Sequence, residues 1–72
     1  MQVQTKFGER LKQLREESNL TMEQLAASLG TKKQTISRYE SHQREPEYAT
    51  LLKIAQFFNV STDYLLGLKD LK

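Results

Sequence analysis

The chain has 72 residues, of which 11 are Lys or Arg and 9 are Asp or Glu, so its formal net charge is +2. This length fits one small domain at the size where a single core is marginal, and we expect one domain over residues 1–72. Because the sequence contains no cysteine, it excludes a disulfide framework and a thiolate metal site. No apolar run approaches the roughly 20 residues that would span a membrane, so we expect an intracellular protein without a membrane partner.

Apolar residues recur at helical spacing near the N-terminus. Phe7, Leu11 and Leu14 have charged residues between them. This pattern predicts an amphipathic helix over about 5–18, with Thr5 as a candidate cap. We expect its apolar face to pack behind the helices that follow.

A pair of short helices joined by a tight turn is predicted next. Thr21 can cap the free amides of a helix over 22–29, whose apolar residues share one face. Gly30 ends this helix, because glycine adopts the left-handed conformation without steric cost. Thr31 is then placed to cap a third helix over 32–40. This is the layout of a DNA-reading helix-turn-helix.

The third helix of this motif, which spans about 21–40, has two chemically different faces. Ile36 and Tyr39 point inward with the stem of Lys32, and the small side chain of Ala26 lets the second helix cross closely. The outward face carries Lys33, Gln34, Ser37, Arg38 and Ser41. Lys and Arg suit guanine O6 and N7, Gln suits adenine N6 and N7, and Ser serves as donor or acceptor. The outward stripe therefore matches major-groove base edges, although an ordinary solvated face has similar composition.

The positive charge of the chain is unevenly distributed. Residues 31–44 hold four basic side chains against Glu40 alone, and the remainder is slightly acidic. The basic patch therefore coincides with the predicted helix-turn-helix, as nucleic-acid binding requires.

Two further helices are predicted after the motif. Pro46 ends the loop and favours the start of a fourth helix at the centre of the core. Its expected buried stripe consists of Tyr48, Leu51, Leu52, Ile54, Ala55 and Phe58. Ser61 then caps a short fifth helix over about 62–68, and Gly67 loosens its end. Its apolar residues are Tyr64, Leu65 and Leu68.

Catalytic constellations are missing from the sequence. The acidic pairs at 16–17 and at 45 and 47 lack an apolar frame, and His42 has no partner at the spacing of a nucleophilic triad. The glycines are isolated, so no phosphate-binding loop is predicted. We expect no enzymatic activity, no cofactor and no metal.

Several short segments occur in a characteristic order and spacing. They are Leu20-Thr21, Leu25-Ala26, Gly30, Thr35-Ile36-Ser37-Arg38-Tyr39-Glu40, Arg44-Glu45-Pro46, Thr50-Leu51-Leu52-Lys53-Ile54-Ala55 and Asn59-Val60-Ser61-Thr62-Asp63-Tyr64-Leu65-Leu66-Gly67. Together they make residues 5–67 resemble the phage-repressor and Cro-type helix-turn-helix family, also called the XRE family. The resemblance implies an all-α, compact five-helix bundle of the lambda-repressor-like type. It also implies a cytoplasmic, prokaryotic or phage-encoded, nucleoid-associated regulator, usually a repressor, that reads palindromic double-stranded DNA as a homodimer.

The same resemblance assigns site residues. Base contacts are expected from Lys32, Lys33, Gln34, Ser37 and Arg38. Of these, Lys32 lies at the groove lip, where it meets phosphate or base, and Ser37 reaches a base, a phosphate or a water. Thr35 is expected to face the second helix or the backbone. Phosphate contacts are expected from Arg15, Met22, Thr31, Ser41, His42 and Arg44.

Three positions have specific expectations under this resemblance. Arg15 and Glu40 should form an ion pair, which as an exposed pair would contribute only about 0 to 1 kcal/mol. His42 stands where relatives often have Gly at positive φ, so we expect a differently shaped turn. Met22 stands where many relatives have Gln, so its phosphate contact falls to backbone amides at the helix N-terminus.

The C-terminal region has more apolar side chains than a short fifth helix can hide. They are Phe57, Tyr64, Leu66, Leu68 and Leu71. They either close the core, mediate self-association, or bind another protein such as a toxin or an anti-repressor, as in antitoxins and adaptors of this fold. We expect a weak homodimer that DNA strengthens. Its interface residues would be Phe57, Val60, Tyr64 and Leu68.

Overall fold

The structure, a computed structural model, describes residues 5–72, and every regular element in that range is a helix. The helices are α1 (Phe7–Glu17), α2 (Met22–Leu29), α3 (Lys33–Glu40), α4 (Tyr48–Phe58) and α5 (Thr62–Leu66). The predicted all-α, five-helix architecture is therefore confirmed. None of these five helices is both long and apolar enough to cross a membrane.

Each helix anchors the core with one completely enclosed aliphatic side chain. These are Leu11, Leu25, Ile36, Ile54 and Leu65, taken in helix order. Full burial of a side chain of this size stabilises a fold by about 1.5 to 3 kcal/mol. The orientation of every helix is thus set by an apolar contact at its centre.

The N-terminal caps of α2 and α5 form as predicted. The Thr21 hydroxyl accepts from the Gln24 amide at 3.0 Å, and the Thr21 amide donates to the Gln24 side chain at 2.9 Å. This reciprocal pair satisfies two free amides at once. The Ser61 hydroxyl likewise accepts from the Tyr64 amide at 3.0 Å.

The first and last helices are shorter than predicted. α1 begins at Phe7, whose amide donates to the Thr5 hydroxyl at 3.3 Å, although Lys6 occupies the N-cap position. α5 ends at Leu66, because the next residue, Gly67, turns the backbone to a φ of +91°. Leu68 therefore lies beyond the helix, and it is 75% exposed.

The start of α3 differs from the prediction by one residue. Lys32, not Thr31, is the N-cap, and no side chain caps this helix. The prediction that Thr31 caps α3 is wrong because the turn is one residue longer than expected. Lys32 has an extended backbone outside the helix and is exposed, so the predicted inward position of its stem is also wrong.

The apolar stripe of α4 is wider than the surface that covers it. Ile54 and Ala55 are buried, but Tyr48 is 88% exposed and Leu52 is 54% exposed. The prediction that α4 is the centre of the core is therefore wrong. The most extensive packing between helices is instead that of α1 and α2 against α3. Periodicity shows which residues share a helix face, but not how much of that face a neighbour covers.

α1 and α3 approach each other at a glycine. A Cβ atom at Gly8 would lie 2.5 Å from the carbonyl oxygen of Tyr39. Beside it, the rings of Phe7 and Tyr39 pack edge to face with centroids 5.6 Å apart. The C-terminal end of α3 is therefore held directly against the first turn of α1.

Candidate nucleic-acid interface

The turn between α2 and α3 is closed by backbone and side-chain hydrogen bonds. Gly30 adopts the predicted left-handed conformation at φ +71°, and the next amide, that of Thr31, donates to the Ala26 carbonyl at 2.8 Å. The Lys53 ammonium donates to the Leu29 carbonyl at 3.1 Å. A cation at the C-terminal end of a helix also interacts favourably with the helix dipole. These contacts hold α3 in a defined direction relative to α2.

α3 has the two faces that the sequence predicts. Ile36 and Tyr39 are buried, and the small Ala26 of α2 is buried beside α3. The side chains that the structure brings together on the exposed side are Lys33, Gln34, Ser37 and Arg38, with Ser41 just after the helix. A major groove is about 12 Å wide and accommodates an α-helix, so an exposed polar face of this kind has a suitable size for that groove. Thr35, in contrast, is half-buried.

Three of the residues expected to contact phosphate lie at the start, at the turn and at the end of the motif, and they differ in exposure. Met22 is half-buried and packs against the core, which leaves its backbone amide as the polar group of that position. Thr31 is half-buried in the turn. Ser41, at the far end of α3, is exposed, and its hydroxyl donates to the Arg38 carbonyl at 3.4 Å.

In the loop after α3, His42 adopts a left-handed backbone conformation, as glycine often does at this position in relatives. His42 has a φ of +63°, so the prediction of a differently shaped turn is wrong. Histidine occupies this conformation at a higher steric cost than glycine. The turn is closed by the Gln43 amide, which donates to the Arg38 carbonyl at 2.9 Å. His42 and Arg44 are both exposed, and the Arg44 guanidinium lies 6.0 Å from the centroid of the Tyr39 ring.

The predicted ion pair between Arg15 and Glu40 is present, but it is not an exposed one. Arg15 Nε and Nη2 donate to the two Glu40 oxygens at 2.7 and 3.0 Å, and Nη1 donates to the Leu20 carbonyl at 3.0 Å. Their side chains are only 12% and 5% exposed. The hydrogen bond to Glu40 raises the pKa of Arg15, which outweighs the opposing effect of burial. The pair therefore joins α1, the following loop and the end of α3.

Two side-chain contacts, one within the motif and one from α4 to it, were not predicted from the sequence. Glu23 places its carboxylate 3.8 Å from the Lys33 ammonium, and Lys53 reaches across from α4 to the end of α2. Helical spacing relates only residues three or four apart, and these partners are 10 and 24 positions apart. The crossing of separate helices creates both contacts.

The residues predicted to form a dimer interface near the C-terminus are only partly exposed. Phe57 and Leu68 are exposed and Val60 is half-buried. Tyr64 is only 3% exposed, and the Arg10 guanidinium covers its ring at 4.1 Å from the centroid. Tyr64 therefore offers almost no surface to a second copy, contrary to the expectation that it lies in a dimer interface.

A family model described as Helix-turn-helix matches residues 11–65. The chain is 44% identical over 64 residues to the HTH-type transcriptional regulator YobD of Bacillus subtilis, covering 89% of this chain and 57% of YobD. It is 43% identical over 61 residues to the HTH-type transcriptional regulator ImmR of the same organism, covering 85% of this chain and 48% of ImmR. The chain thus spans about half the length of these relatives.

The solved structures include the P22 c2 repressor in complex with a synthetic operator. It matches this fold with a TM-score of 0.79 and 29% identity, over 92% of this chain and 96% of that one. This match confirms the predicted lambda-repressor-like bundle. The chain belongs to the helix-turn-helix family of the phage-repressor (XRE) type, a family of DNA-binding transcription regulators that is not an enzyme class.

Proposed function

We propose that this chain is the DNA-binding domain of a transcription regulator and binds a specific double-stranded site through the major groove. The observation that carries the proposal is the division of α3: Ile36 and Tyr39 anchor it in the core, and its polar face is open. The proposed domain comprises the whole of residues 1–72, and the proposed setting is the cytoplasm of a prokaryote, at the nucleoid. The bacterial regulators YobD and ImmR support this setting.

Base recognition is assigned to the exposed face of α3. Lys33 and Arg38 donate to guanine O6 and N7, and Gln34 pairs with adenine N6 and N7. Ser37 and Lys32 lie at the margins of this face and contact base or phosphate. None of the three principal side chains takes part in the core, and all three are exposed.

The test is selection of bound duplexes from random DNA, using the native chain and a Lys33→Ala/Gln34→Ala/Arg38→Ala variant. Loss of each base contact should cost about 1 to 3 kcal/mol and relax the preference at one base position. A Gln13→Ala/Lys69→Ala/Lys72→Ala variant removes the same charge from exposed positions on α1 and the C-terminal tail, and it should select the native consensus. An undiminished consensus in the α3 variant would show that these residues do not read DNA.

Phosphate contacts are assigned to Arg15, Thr31, Ser41, His42 and Arg44, and to the backbone amides around Met22. Contacts of this kind strengthen binding to all sequences alike. Arg44→Gln should lower the steepness of the salt dependence by about one unit of log K per log salt and leave the consensus unchanged. A changed consensus in this variant would contradict its positioning role.

A symmetric homodimer is the proposed DNA-bound form, with an interface around Phe57, Val60 and Leu68. The exposure of Phe57 and Leu68 supports an apolar contact between two copies. An interface this small is weak in solution, and simultaneous binding to adjacent half-sites strengthens it through effective concentration.

The exposed leucines of the C-terminal tail favour a second candidate function. Leu68 and Leu71 are both largely exposed, as expected for an antitoxin or adaptor whose main partner is a toxin or an anti-repressor protein. The two candidates differ in the α3 variant, because a protein-binding module would keep its main activity when Lys33, Gln34 and Arg38 are replaced. Its binding would also depend little on salt.

A further inference from the structure

An acidic side chain lies within reach of a proposed base-reading lysine. The Glu23 carboxylate, in the first turn of α2, is 3.8 Å from the ammonium of Lys33, the first residue of α3. Both side chains are more than half exposed. A carboxylate beside a DNA-binding surface repels phosphate, so Glu23 on its own would weaken DNA binding.

The other residues at the start of α2 cannot fulfil the same role. Thr21 and Gln24 engage each other in the capping box, and Met22 is apolar and packs against the core. Glu23 is therefore the side chain of this turn that carries a charge toward α3, and the α3 residue that it meets is Lys33.

The chemistry of the ammonium group allows Lys33 to remain beside Glu23 while it contacts a base. An ammonium has three donors, so one can point at the carboxylate and another at guanine O6 or N7. A phosphate contact is different, because the flexible four-carbon stem must turn away from Glu23 toward the backbone of the DNA. Pairing with Glu23 thus competes with phosphate contacts but is compatible with base contacts.

We propose that Glu23 is a positioning residue that directs the Lys33 ammonium toward base edges and so lowers affinity for non-specific DNA more than affinity for the target. This inference rests on the proposed function, in which Lys33 reads a base. A side chain held in its binding orientation also loses less conformational freedom when the target binds. Glu23 therefore contributes to the ratio of specific to non-specific affinity without touching DNA.

The experiment compares Glu23→Gln with the native chain on two probes: the duplex recovered by selection and a pool of random duplexes of the same length. Fluorescence anisotropy over a salt series gives the affinity for each probe and its salt dependence. Affinity for random duplexes should rise about two- to fivefold more than affinity for the target, the range expected for loss of one exposed ion pair. The salt dependence on random duplexes should steepen by about one unit as Lys33 becomes free to neutralise a phosphate.

Two controls separate positioning from a general charge effect. Glu17→Gln removes another lysine-paired exposed carboxylate, on α1, and should leave the affinity ratio unchanged. In a Lys33→Gln background, Glu23→Gln should raise both affinities equally, because only phosphate repulsion is then removed. Circular dichroism confirms that each variant is folded.

Three results would overturn the inference. The first is that Glu23→Gln leaves the ratio of target affinity to random-duplex affinity unchanged. The second is that Glu23→Gln lowers this ratio in the Lys33→Gln background as much as in the native chain. The third is that Glu23→Gln alters the consensus at a further base pair. The last result would mean that Glu23 itself reads DNA. The role of Lys33 in the proposed function is tested separately: if Lys33→Gln alone leaves the sequence preference intact, Lys33 is not a base reader. The proposed function itself fails if the triple α3 variant selects the native consensus.

Discussion

Arg15 and Glu40 decide how firmly the recognition helix is held. Their two short hydrogen bonds span α1 and the end of α3, and both side chains are largely enclosed. Removing one member of a buried pair leaves an uncompensated charge, which costs more than an exposed pair contributes. Replacing one partner of this pair should therefore cost more stability than breaking an exposed pair.

We expect Glu40→Gln to lower the free energy of unfolding by about 2 to 3 kcal/mol, because Arg15 loses a charged acceptor. Urea denaturation at neutral pH measures this. Since the pKa of Arg15 is raised in the folded state, its contribution is fully present below the unfolded-state value and is not lost near neutrality. Glu17→Gln, which breaks an exposed pair with Lys72, should change stability little. If the two variants lowered the free energy of unfolding equally, the Arg15–Glu40 pair would not behave as a buried pair.

At the scale of helices, the contact between α1 and α3 depends on the absence of a side chain at Gly8. The nearest atom to a Cβ at this position would be a backbone oxygen, that of Tyr39, which cannot rotate away. The neighbouring Phe7 ring and the Tyr39 ring are both buried, so the two helices have little freedom to separate.

We expect Gly8→Ala to destabilise the protein by about 1 to 3 kcal/mol, the usual cost of overpacking. The sign of the change in the free energy of unfolding is informative, because replacing glycine by alanine inside an unobstructed helix normally stabilises a protein by about 0.5 to 1 kcal/mol. Urea denaturation again gives the measurement. The control, Ala27→Gly at an exposed position of α2, should follow the ordinary propensity. A more stable Gly8→Ala variant would show that α1 and α3 can separate freely.

At the scale of the whole molecule, one copy presents one short recognition helix. A few base contacts of about 1 to 3 kcal/mol each are too few to distinguish a target from a genome of competing sites. Two copies related by a two-fold axis would place their recognition helices one turn apart, at about 34 Å, on half-sites about 10 bp apart. The interface that we propose for such a dimer is the exposed apolar surface around Phe57, Val60 and Leu68.

Sedimentation with and without the selected duplex tests the dimer. We expect a monomer at micromolar concentration in free solution and two copies on a palindromic duplex, with Leu68→Glu and Phe57→Ala reducing affinity for the palindrome. Leu52→Glu, at an exposed apolar position of α4 outside the proposed interface, is the control. One copy per palindrome at saturation, or native affinity in both interface variants, would exclude the model.

Local chemistry made much of this protein predictable from its sequence. The caps at Thr21 and Ser61 and the left-handed end of α2 at Gly30 depend on residues at most five positions apart, so short-range sequence determines them. The two faces of α3 follow from helical periodicity. The Arg15–Glu40 pair was predicted only through the family resemblance, because periodicity does not relate residues 25 positions apart.

Tertiary structure alone decided what depends on the crossing of helices. The close approach at Gly8, the contact from Lys53 to α2 and the pairing of Glu23 with Lys33 join different helices. The exposure of Tyr48 and the burial of Tyr64 likewise depend on which neighbour covers each face. The sequence by itself determined the five helices, the capped starts of α2 and α5, the end of α2 and the chemistry of the recognition face. Which side chains support that face depended on packing, because burial is a property of two surfaces in contact.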